Sequence, residues 1–103
     1  MENNKVDYEN VEFWGLRDAI TENNAIIFRI SCQKDMLEID ITDKEKELIA
    51  EVAQYTKEIN RNKFDLSYQE IEIATNKLQE LYKKVEPIEE RLLEMLDKAK
   101  QAK

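Results

Sequence analysis

The chain has no histidine, one glycine, one proline and one cysteine in 103 residues. Without histidine, no serine–histidine or cysteine–histidine nucleophile can be assembled within it. Zinc, copper and non-haem iron sites lose their commonest ligand for the same reason. A single glycine rules out a glycine-rich phosphate loop. Cys32 has no second cysteine to bond with, and its place in an apolar run reads as that of a small buried hydrophobe. No apolar run approaches the ~18 residues of a membrane-spanning helix. The polar start Met1-Glu2-Asn3-Asn4-Lys5-Val6-Asp7 lacks the basic and apolar regions of a signal peptide. A cytoplasmic protein is expected, in the host cytoplasm if it is phage-encoded.

What is present is charge and periodic hydrophobicity. Charged residues make up 38% of the chain and hydrophobic ones 42%, a balance typical of helix-rich proteins. The length suits one domain spanning residues 1–103. Twenty-three acids against sixteen bases give a net charge of −7. The acids concentrate early: Glu2, Asp7, Glu9, Glu12, Asp18 and Glu22 face only Lys5 and Arg17 before residue 25. Such a chain repels phosphate, so direct nucleic-acid binding is not expected.

The clearest pattern lies in the last third. Ile71, Ala74, Leu78, Leu81, Val85, Ile88, Leu92, Met95, Ala99 and Ala102 alternate spacings of three and four. This predicts a long heptad-patterned helix over residues 68–100, with a possible kink at Pro87. Ser67-Tyr68-Gln69-Glu70 supplies its capping box, and Thr42-Asp43-Lys44-Glu45 opens another helix over 43–60. That middle helix carries Leu48, Val52, Tyr55 and Ile59 at heptad positions. Folded back antiparallel, its apolar layers become Ile59–Ala74, Tyr55–Leu78, Val52–Leu81 and Leu48–Val85. The flanks of that register set Glu58 beside Lys77 and Glu51 beside Lys84, both attractive pairs.

Upstream, residues 1–7 read as a flexible leader. Asp7 can cap a helix over 8–22, which Asn23-Asn24 would stop. In residues 25–41, Ile26, Phe28, Ile30 and Cys32 alternate, and so do Leu37, Ile39 and Ile41. That period of two predicts a β-hairpin turning at Gln33-Lys34-Asp35. The expected fold class is therefore α+β and mostly helical, in the order helix, β-hairpin, antiparallel helical hairpin.

No catalytic group, metal site, cofactor or small-molecule substrate follows from these residues, and a chain this small offers little room for a sheltered pocket. A heptad seam points instead to a non-catalytic protein-interaction module, a small adaptor, assembly factor or regulator. The expected partner or oligomer interface is the end of the last helix, with Ile88, Arg91, Leu92, Leu93, Met95 and Leu96, which the middle helix is too short to cover. A protein partner or self-association, as a dimer, is expected there, and no membrane. The alternative is an acidic inhibitor presenting Asp7, Glu9, Glu12, Asp18 and Glu22 to a nucleic-acid enzyme as a DNA mimic, as small phage or mobile-element accessory proteins do.

Overall fold

Two hydroxyl side chains set where the second and third helices begin. The Glu45 amide donates to Thr42 Oγ1 (3.1 Å), and the Thr42 amide donates to Glu45 Oε1 (2.9 Å). Ser67 and Glu70 repeat the exchange, at 3.2 and 2.9 Å. Each box satisfies backbone N–H groups that a helix start leaves orphaned. A computed structural model describes residues 11–101: α1 (Val11–Leu37), α2 (Asp43–Asn62), a single 3-10 turn (Lys63–Asp65) and α3 (Tyr68–Gln101). The expected leader 1–7 and the expected helix start at residue 8 lie outside the described residues. Pro87 does not divide α3. It lies on the exposed side, as does Lys83, whose carbonyl loses its usual donor there and can turn to water.

The β-hairpin expected over 25–41 is absent, and the helix expected to stop at Asn23-Asn24 runs on to Leu37. The described residues contain helices and no strand, so the class is all-α rather than α+β. Residues 26–32 fit both periodicities, because Ile26 and Ile30 stand two strand repeats apart and also one helical turn apart. Phe28 decides between them. A strand face holding Ile26 and Ile30 would bury it too, yet it is 69% exposed while they are buried. The helical repeat through Phe13, Leu16, Ile20, Asn23, Ile26, Ile30, Gln33 and Leu37 is masked by two polar residues at inward positions. Both Asn23 and Gln33 are buried. The Asn23 amide, read above as a helix stop, instead donates to the Leu78 carbonyl (3.1 Å) and ties α1 to α3. β-Branched residues cost a helix only about 0.5 kcal/mol each, which packing along a full helix face outweighs.

α1 and α3 run side by side in the same direction, with α2 antiparallel to both. Phe13, Leu16, Ala19 and Ile20 pack with Ile71, Ala74 and Leu78, joined by Tyr55 and Ile59 of α2. Ile26 and Ile30 pack with Leu81, Val85, Ile88 and Leu92, joined by Val52 and Leu48. These clusters hold the layers of the register read from the α2 and α3 heptads. The flanking pairs differ. The Lys77 ammonium lies 4.6 Å from the centre of the Tyr55 ring rather than on Glu58, and Glu51 and Lys84 form no ion pair. Glu45 and Arg91 tie the two helices instead.

The end of α1 is a Schellman motif: the Ile39 amide donates to the Lys34 carbonyl and the Glu38 amide to the Asp35 carbonyl, both at 3.1 Å. Glu38 sits at the left-handed position with φ 57°, where a side chain crowds the backbone and glycine does not. Glu38→Gly is therefore expected to stabilise the fold by about 1 kcal/mol, read as a higher urea midpoint with unchanged slope. Gly15 is the opposite case. It lies inside α1, and a Cβ added there would meet nothing within 4 Å. Gly15→Ala should raise chain stability by about 0.5–1 kcal/mol in the same measurement, since alanine fixes helical backbone more cheaply.

No helix among the described residues is long and apolar enough to cross a membrane.

Candidate interaction surface

The outward faces of α1 and α3 decide what this rod can offer another molecule. The six residues expected to form an interface near the end of α3 do not stay together. Ile88 and Leu92 are buried inside the chain, because α1 reaches far enough to cover them. Arg91 is exposed but occupied: its Nη1 and Nη2 both donate to the Glu45 carboxylate, the second at 3.0 Å. That pairing, with the Thr42 amide, holds the Glu45 carboxyl at about 2, against 4.5 ordinarily. Leu93 remains exposed at 47%, with Met95 and Leu96 half-buried.

Of the acidic set, Asp7 and Glu9 lie outside the described residues. Glu12, Asp18 and Glu22 are all exposed on α1. At 100° per residue they spread around the helix, with Asp18 about 120° from Glu12. Glu12 lines one shallow groove between α1 and α3, beside Glu72, and Glu22 lines another, beside Glu86 and Lys83. They form no single row of phosphate-like charges.

Sequence reasoning missed a polar pin between α1 and α3. The Arg29 guanidinium donates to both oxygens of Glu89, Nε at 2.7 Å and Nη2 at 3.0 Å, and Gln33 Nε2 donates to the same carboxylate at 2.9 Å. The Glu89 side chain is only 10% exposed, against 44% for Arg29. The Arg29 hydrogen bond holds the Glu89 carboxyl below its usual range, against the opposing effect of burial, with Gln33 assisting. A carboxylate so satisfied is a poor base; its work here is to fix how α1 lies on α3. Gln33 Oε1 is buried with no protein partner. Among the described residues, no cluster of three or more cysteine or carboxylate groups is placed to hold a metal ion.

A second missed feature is larger. Besides its buried face, α1 carries large apolar side chains on the face it turns away from the bundle, with exposed Asp18 and Thr21 among them. Val11, Trp14, Phe28 and Met36 are exposed, with Ala25 and Cys32 half-buried between them. Val11, Trp14, Ala25, Phe28, Cys32 and Met36 fall in one stripe along the 27-residue helix. Phe28 and Met36, at 69% and 68% exposed, are bare for their size. The signal was present in the chain as three- and four-residue steps from Trp14 through Asp18, Thr21, Ala25 and Phe28 to Cys32. It is visible only once the segment is known to be helical. Arg17 covers part of this stripe, its guanidinium carbon 4.8 Å from the centre of the Trp14 ring.

No protein-family model matches the chain, and neither the curated proteins nor the solved structures compared with it include a significant match.

Proposed function

We propose that this protein is a non-catalytic helical interaction module, an adaptor or regulator that docks through the outward stripe of α1. One observation carries the reading: a helix already buried along one face keeps a second line of large apolar side chains in water. A monomeric surface helix ordinarily carries polar residues there, and large apolar side chains left in water one turn apart, as in Phe28, Cys32 and Met36, mark contact with another molecule. The contact belongs on α1 rather than on the end of α3, because Ile88 and Leu92 are already spent on the core. Leu93 is exposed in the last turns of α3, while Met95 packs partly on the core cluster that Ile26 and Ile30 of α1 share.

Site-specific photo-crosslinking in native cells tests this. A photoreactive side chain at Phe28 or Met36 should yield discrete protein adducts, whereas one at the exposed Lys57 of α2 should yield none. Equal or absent crosslinking at all three positions would overturn the reading. Replacing Glu9 and Glu12 by lysine should leave the adducts unchanged; their loss would favour acidic mimicry instead.

A further inference from the structure

We infer that the occupant of the α1 stripe is α1 of a second copy of this chain, packed antiparallel about a two-fold axis level with Ile26 and Ile27. The inference rests on the docking reading above and adds its partner. Its first support is the match of charges along the stripe. About that axis, Glu22 of each copy falls within about 3 Å along the helix of Arg29 of the other, on one flank, so two opposite-charge pairs form by symmetry. Arg29 is held by Glu89, as Arg91 is by Glu45, but its side chain is 44% exposed and lies on the flank of the stripe. Arg17, on the other flank, falls within about 3 Å along the helix of Glu38. Asp18 meets Asp35 at the two ends, where both are in water and screening weakens the repulsion.

Side-chain size agrees with charge in this register. Phe28 lies over Ala25 of the other copy, twice, a large residue meeting a small one. A parallel pairing makes the same two like-charge aspartate contacts and sets Phe28 on Phe28 and Ala25 on Ala25, losing the match of large to small. Shifting the antiparallel pair by one heptad sets Glu22 against Glu22. An isologous contact of this kind closes as a dimer and exposes no further copy of the stripe.

Sedimentation equilibrium of the full chain should give twice the 12.3 kDa chain mass at high concentration. Phe28→Asp should return the single mass with helicity unchanged, because that side chain is not packed within the monomer. Glu22→Arg should weaken dimerisation by about tenfold. Thr21→Cys provides the register, since position 21 falls level with Cys32 of the other copy. Mild oxidation should join those two positions between chains; within one chain they lie about 16 Å apart along the helix, beyond disulfide reach. Cys32–Cys32 cross-links, or a dimer indifferent to Phe28→Asp, would overturn this pairing. A wild-type monomer at every concentration would overturn self-association altogether. If Phe28 then still crosslinks to foreign proteins, the docking surface stands and only its occupant is wrong.

Discussion

Replacing Leu78 by alanine is expected to lower the free energy of unfolding by about 3–4 kcal/mol. Leu78 is fully buried, in the layer where α1, α2 and α3 all meet. Its removal leaves a cavity bounded by Ile20, Ala74 and Tyr55 on three different helices. The neighbouring Asn23–Leu78 backbone bond resists collapse into that space. A domain of this size has about 5–15 kcal/mol in total, so the variant should unfold at markedly lower urea. A loss below about 1 kcal/mol would mean that the parallel packing of α1 on α3 is wrong.

Arg29→Ala is the second large effect, about 2 kcal/mol at neutral pH. The substitution strips Glu89 of two of its three hydrogen bonds and leaves its carboxylate in a site that water barely reaches. The sign of the pH dependence follows from what then controls that carboxyl. In the wild type, Arg29 holds it below its usual range, so its stabilisation is complete above the unfolded carboxylate value. That stabilisation is lost as pH falls through the folded value. Glu45 behaves likewise, its contribution fading between 4.5 and about 2. In Arg29→Ala, burial becomes the main influence on Glu89 and favours the neutral form. Acidification should therefore narrow the gap between variant and wild type below about pH 4.5. Urea melts at pH 7 and pH 4 check this, and a gap that widens in acid would show that Arg29 does not act through Glu89.

Much of the α2–α3 half was legible because its determinants are local. Thr42 with Glu45 and Ser67 with Glu70 are within one helical turn of each other. The heptads of α2 and α3 place apolar residues at nearly every inward position, so period and register read directly. In α1, Asn23 and Gln33 occupy inward positions, and the apolar repeat breaks where they stand. Isoleucines at 26, 27, 30, 39 and 41 then suggest strands, and the two asparagines suggest a stop. The candidate surface failed for a linked reason. A helix ending near residue 22 could not cover Ile88 and Leu92, whereas one reaching Leu37 does.

Composition and short-range pattern by themselves determined a charged, helix-rich chain with two capped helices folded back in one register, since these depend on neighbours a few residues apart. Only the tertiary structure decided that residues 25–37 are helical, that α1 lies parallel to α3, and which leucines remain in water. Those outcomes depend on partners some 55–60 residues away, Leu78 for Asn23 and Glu89 for Arg29 and Gln33. An isoleucine-rich segment satisfies a strand and a helix equally well until the surface it packs against is known.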